Sequence, residues 1–166
     1  MSRTRGLLAF LLLLALGGCG TTAAVKQHKA PRLPVWTVAS FGVSLQHPAG
    51  WQAASGYLER LQGKTGYVSL NALQGSGLKP RAAAESQAHQ ALNSFGSDPA
   101  LKAVQVDGQP AYVILPSGSQ TEAAAVILYP KPQEISGVPY RYLIVTSLAK
   151  DIMPIVQSLH FLGKKH

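Results

Sequence analysis

Ser147, Asp151 and His160 bring a hydroxyl, a carboxylate and an imidazole into one stretch of chain, the residue types of a nucleophilic hydrolase. Such chemistry needs the serine presented on a sharp turn, and no G-x-S-x-G stretch surrounds Ser147 or any other serine. The histidines, His28, His47, His89, His160 and His166, are scattered, with no H-x-x-x-H pair and no acidic partner at ligand spacing. A zinc site needs three or four converging ligands, so they read as surface or core-edge residues. Glu59, Glu85, Asp98, Asp107, Glu122, Glu134 and Asp151 are dispersed, which speaks against paired-carboxylate chemistry and calcium loops. The expectation is no catalytic residue, no metal and no cofactor. Among the aromatics, Trp51, Tyr57 and Tyr140 are the candidates for lining a groove for sugar or lipid, set against the commoner role of strand aromatics in packing on a sheet.

Two further strings resemble motifs of penicillin-recognising serine enzymes: Ser147-Leu148-Ala149-Lys150 matches S-x-x-K, and Lys64-Thr65-Gly66 matches K-T-G. Their order along the chain is reversed relative to those enzymes, and S-D-N is absent. A chain of 166 residues is also too short for that fold. The pair reads as coincidence.

Cys19 carries the most specific signal. It is the single cysteine of the chain, and it follows a cationic start with Arg3 and Arg5 and an uncharged apolar run from Leu7 to Leu16. A bilayer-spanning helix needs about 20 apolar residues and a signal-peptide core about 7 to 15, so the run fits the second. Leu16, Gly17, Gly18 and Cys19 resemble the lipobox of bacterial lipoproteins. The small residues let a peptidase thread the backbone, and the thiol, bearing a diacylglyceryl thioether, becomes the new N-terminal residue. The resemblance implies a signal peptide at 1–18, lipidation of Cys19, and placement at the extracytoplasmic face of a cell membrane or outer membrane. Acylation consumes the only thiol, leaving no disulfide or thiol chemistry in the mature domain. Several acyl chains anchor durably, since each buried methylene contributes about 0.8 kcal/mol.

Removal of Arg3 and Arg5 lowers the formal charge of +8 by two. Much of the remainder lies at the ends, at Lys26, Lys29, Arg32, Lys164 and Lys165, so the body is mildly basic. These residues read first as solvated lysines and second as a weak attraction to anionic head groups, about 1 kcal/mol per basic residue near such a surface. An extracytoplasmic location speaks against nucleic acid as a partner. Residues 19–35 read as the lipidated N-terminus and a tether, 36–163 as one domain of ordinary size, and 164–166 as a basic tail.

The elements that must position these residues follow from apolar spacing. Alternation from Ser40 to His47 predicts a strand, closed by Pro48-Ala49-Gly50, after which Trp51 has the size to plug the edge of a core. Tyr57–Leu61 and Tyr67–Leu73 read as a hairpin. Ala84, Ala88, Ala91, Leu92 and Phe95 fall at helical spacing, predicting a helix over 80–95 with Pro80 in its first turn and Gly96 as its cap. Its narrow, alanine-rich face suits close packing on a sheet. Leu101–Asp107 and Gln109–Leu115 flank Asp107-Gly108, a dipeptide that tolerates the positive φ of a tight hairpin. Ala123–Tyr129 and Tyr140–Thr146 are nearly continuous apolar runs, expected as central strands covered on both faces by helices, with 130–138 as a loop. Ile152, Ile155, Val156 and Leu159 predict a last helix, with Asp151 as N-cap and Pro154 in the first turn. The apolar stretch Leu159–Leu162 is expected to fold back onto the sheet.

Phe41-Gly42-Val43-Ser44-Leu45-Gln46-His47-Pro48-Ala49-Gly50-Trp51 resembles the opening of PsbP-like domains of the PsbP, Mog, DcrB and LpqN type. The ending from Ile152 to Phe161 is similar to theirs, and the element order between agrees, so the likeness covers about three quarters of the chain. It implies an α+β fold, a twisted antiparallel sheet between helices in an α/β/α sandwich. Relatives of this kind are mostly accessory or binding proteins, and no functional residue carries over. The expected function is a membrane-anchored, non-catalytic accessory or protein-binding lipoprotein of the cell envelope, docking an envelope protein through one sheet face or the 130–138 segment. A carrier of an apolar or anionic envelope molecule near Trp51 comes second and a hydrolase third.

Overall fold

The computed structural model describes residues 32–57, 59–90 and 94–163. Cys19, the expected leader at 1–18 and the basic tail at 164–166 lie outside the described residues. The described body belongs to one compact unit that begins at Arg32.

Alternating apolar residues build a small sheet first. β1 (Val35–Val38) pairs antiparallel with β2 (Val43–Gln46), and a 3-10 turn at Ala39–Phe41 joins them. The strand expected to start at Ser40 therefore starts at Val43. Gly42 accounts for the difference: its left-handed φ of 64° interrupts the extended chain, and its N–H closes on the Ala39 carbonyl at 3.0 Å. Val43 and Leu45 point inward and are buried, as the alternation requires. β1 crosses the expected tether boundary at residue 35; it is a short edge strand with Val35 exposed, and its place comes from pairing with β2. At the end of the chain, β10 (His160–Phe161) pairs with the other side of β2, which seats the expected apolar fold-back.

The larger sheet has seven strands, β3 (Gln52–Ala53), β4 (Arg60–Gln62), β5 (Tyr67–Leu73), β6 (Ala100–Val106), β7 (Gln109–Leu115), β8 (Glu122–Ile135) and β9 (Val138–Leu148). Their order is β3-β4-β5-β9-β8-β7-β6, with every neighbouring pair antiparallel. β8 and β9 lie centrally, as their continuous apolar runs predict. Ala123, Ala125, Ile127, Leu143 and Val145 face one core, and Ala124, Val126, Tyr142 and Ile144 face another. Helix α1 (Pro80–Ala88) covers the second core with Ala83, Ala84 and Ala88, while Phe95 supplies its bulk from beyond the helix. The first core is covered by helix α2 (Ile152–Gln157) together with the β1-β2-β10 sheet. Sheet thus supplies part of a cover that sequence spacing assigns to helices alone. The result, among the described residues, is an α+β fold of mostly antiparallel sheets with two helices.

Three local expectations change. α1 ends at Ala88 with His89 as its cap, not at Phe95. Phe95 is buried on the helical face for a tertiary reason: Ser117 donates its N–H to the Phe95 carbonyl at 2.8 Å, and its Oγ accepts from the Asp98 N–H at 3.0 Å. The segment 130–138 is a continuation of the β8–β9 hairpin, turning at Ser136 and Gly137 with φ of 52° and 78°. Pro130 and Pro132 fall where the ladder shifts register between Leu128 and Gln133, so their missing N–H groups interrupt no regular pair. Asp151 occupies the N-cap position of α2 without a side-chain capping bond. Its carboxylate is turned toward Gly66, where an added Cβ would stand 2.7 Å from Oδ2.

Candidate functional site

Trp51 fills the plugging role that its position after the first strand suggests. It is 7% exposed, its ring lies 6.5 Å from that of His47 at an interplanar angle of 24°, and the β4–β5 turn closes over it. That turn carries glycine at the two positions where it meets the ring. A Cβ on Gly63 would stand 2.6 Å from Trp51 Nε1, and one on Gly66 would stand 3.1 Å from Cζ2. The indole is therefore a wall of the core.

The three aromatics predicted to line a groove do not share one. Tyr57 is exposed and meets Arg60. Tyr140 is half-buried against the first core near the start of β9, opposite Gln133, whereas the β4–β5 turn lies by the other end of β9, where Val68 faces Ser147. Seven residues of strand separate Tyr140 from Ser147, about 23 Å at the usual rise.

The β5–β9 pairing brings the two short serine-enzyme strings side by side, since Ser147 Oγ donates to the Tyr67 carbonyl at 2.6 Å, next to Gly66. Ser147 is nevertheless fully buried, with its proton spent on backbone. His160 does not join Ser147 and Asp151: its Nδ1 lies 3.6 Å from Asp107 Oδ1, and Asp107 Oδ2 also accepts the Phe161 N–H at 3.0 Å. These contacts tie the β6–β7 turn to β10. His47 is buried with Nδ1 2.9 Å from the Pro48 carbonyl. Among the described residues no group of three or more His, Cys, Asp or Glu side chains converges as metal ligands.

The most built polar arrangement lies on the α1 side of the large sheet and involves a residue that sequence reading passed over. Arg60, on β4, holds its guanidinium carbon 4.0 Å from the Tyr67 ring centroid and 5.0 Å from that of Tyr57. Both distances are within cation–π range. Tyr67 stretches across the end of β9 to donate its hydroxyl to Glu122 on β8. Burial raises the Tyr67 pKa, the hydrogen bond to Glu122 and its negative charge raise it further, and Arg60 pulls the other way. The phenol thus remains a protonated donor. Spacing between Tyr57, Arg60 and Tyr67 gave no warning, because only the β4–β5 register puts Arg60 and Tyr67 on one face.

No family model matches the chain, and no curated protein matches it. Among solved structures it is similar to the solution structure of cyanobacterial PsbP (CyanoP) from Synechocystis sp. PCC 6803. That likeness has 14% identity and a TM-score of 0.50, covering 88% of this chain and 98% of that one. A crystal structure from Bacteroides thetaiotaomicron VPI-5482 is similar at 10% identity with a TM-score of 0.42, covering 80% of this chain and 50% of that one. At such identities the first likeness speaks to the fold: the described body has a PsbP-like α+β fold.

Proposed function

We propose that this chain is an extracytoplasmic lipoprotein, held at a membrane through Cys19, that acts as a non-catalytic accessory module by docking an envelope protein. The observation that carries the reading is the placement of the single cysteine directly after Leu16-Gly17-Gly18 at the end of an uncharged apolar run. Two features support the accessory role. The side chains best suited to nucleophilic catalysis are diverted: Ser147 is buried on a backbone carbonyl and His160 is turned to Asp107. The fold is shared with cyanobacterial PsbP. A carrier of an apolar or anionic envelope molecule near Trp51 ranks second. The cleft lined by His47, Pro48 and Asp151 measures about 170 Å³, and small-molecule sites run from about 300 Å³ upward.

In-cell crosslinking of the full chain tests the reading. A defined envelope protein should be recovered with the wild type and lost with Cys19→Ser, which should no longer be held at the membrane. Recovery of the same proteins as from an unrelated lipidated control would defeat it.

A further inference from the structure

Arg60 is neither paired nor freely solvated. Its Nε is shut off from water with no hydrogen-bond partner, and among the described residues it forms no ion pair. The carboxylate on this face, Glu122, takes the Tyr67 hydroxyl instead, so a phenol stands between the two charges. A desolvated N–H without an acceptor is a standing cost that a lysine or an apolar residue at the same place would not carry. Arg60 incurs it with its guanidinium carbon set over two rings, those of Tyr67 and Tyr57.

A guanidinium set over rings keeps its in-plane edge for an acceptor. With Nε enclosed, that edge is the pair of Nη nitrogens, which have no hydrogen-bond or ion-pair partner among the described residues and match the two oxygens of a carboxylate. The row beside it is polar. Arg60 lies opposite Ser69, and Ser69 lies opposite Thr146, so two hydroxyl residues continue the row on the same face. Beyond them Gln87, Gln90 and Ser94 bound a cleft of about 170 Å³ that also includes Glu122 and Thr146. A single cation with Glu122 on the same face favours a monoanion over a phosphate dianion, whose second charge Glu122 would oppose.

We propose that Arg60, set over the rings of Tyr57 and Tyr67, is a binding site for the carboxylate of a small organic acid, taken end-on by the two Nη nitrogens. The geometry does not depend on how the chain is anchored or on which protein it docks.

The test is a titration of the full chain in detergent micelles with arginine labelled in nitrogen-15. The Arg60 Nε–H signal is assigned by its disappearance in Arg60→Lys. Sodium acetate and N-acetylglycine should each move that signal along a saturating curve, while sodium chloride at equal ionic strength should not. Tyr57→Ala removes an exposed ring and should weaken binding at least threefold with an unchanged circular dichroism spectrum. A linear drift shared with chloride would overturn the site. So would saturation by inorganic phosphate at lower concentration than acetate, or equal acetate binding in Tyr57→Ala.

Discussion

Gly63→Ala adds one methyl group at a place where the core wall leaves no room for it. Gly63 has no positive φ, so alanine there is not conformationally strained, and fewer unfolded conformations would by themselves stabilise the chain by about 0.4–1 kcal/mol. The new Cβ, however, would stand 2.6 Å from Trp51 Nε1. The indole cannot swing away freely, because it is 7% exposed and stacked beside His47. Forcing a side chain into a filled core costs about 1–3 kcal/mol. The net expectation is a loss of about 1–2 kcal/mol. For a domain of this size that corresponds to a fall in Tm of about 4–8 °C. The diagnostic comparison is the same change in a Trp51→Leu background, where the obstructing ring is gone and Gly63→Ala should become neutral or stabilising. Urea unfolding followed by far-UV circular dichroism measures all four chains, and the coupling between the two positions should be about 1.5–2.5 kcal/mol. An equal effect of Gly63→Ala in both backgrounds would refute the claim that Trp51 packs on the β4–β5 turn.

Other expectations follow from single contacts. Asp107 combines a φ of 48° with acceptance of the Phe161 N–H, so Asp107→Ala should cost about 2–4 kcal/mol in chemical denaturation. Asp107→Gly relieves the backbone but not the lost bond and should cost less; the reverse order would contradict the assignment. Tyr129 is 4% exposed, and burial raises its pKa above the ordinary value of 10.0. Its contribution is thus complete below pH 10 and is lost as pH rises from there toward the folded value, because the unfolded chain deprotonates first. Urea midpoints should fall between pH 9 and pH 11 in the wild type and fall less steeply in Tyr129→Phe; parallel profiles would remove this account. Tyr142→Phe deletes the donor to the Leu78 carbonyl, a bond of 2.7 Å, and should cost about 1 kcal/mol by the same assay. A larger loss would mean that the hydroxyl also holds the turn at Gly75, where an added Cβ would stand 2.6 Å from the ring Cε2.

What could be read from spacing was what neighbouring residues determine. Asp107-Gly108 announced its turn because both residues adopt positive φ at little strain, and the two central strands announced themselves by unbroken apolar runs. Pro154 and Ile152 placed the start of α2 within one residue, although the carboxylate of Asp151 went to the β4–β5 turn and not to a cap. Spacing misled where long-range contacts decide. Phe95 continues the helical period of Ala84 and Ala88 by chance; its burial comes from the backbone clasp with Ser117. The prolines of 130–138 resembled a loop because a register shift, invisible in sequence, absorbs their missing donors. β1 was hidden because its partner lies across a turn and its own residues are largely exposed. The same reason hid Arg60, which becomes a site only when β4 and β5 set it over Tyr67.

Placement of the chain at a membrane turns on the chemistry at Cys19, and intact mass spectrometry of the protein purified from its natural cell, with sequencing of the N-terminal peptide, addresses it directly. The predicted result is a chain that starts at Cys19 and carries a thioether-linked diacylglycerol. A free thiol at Cys19 with residues 1–18 still attached would contradict it.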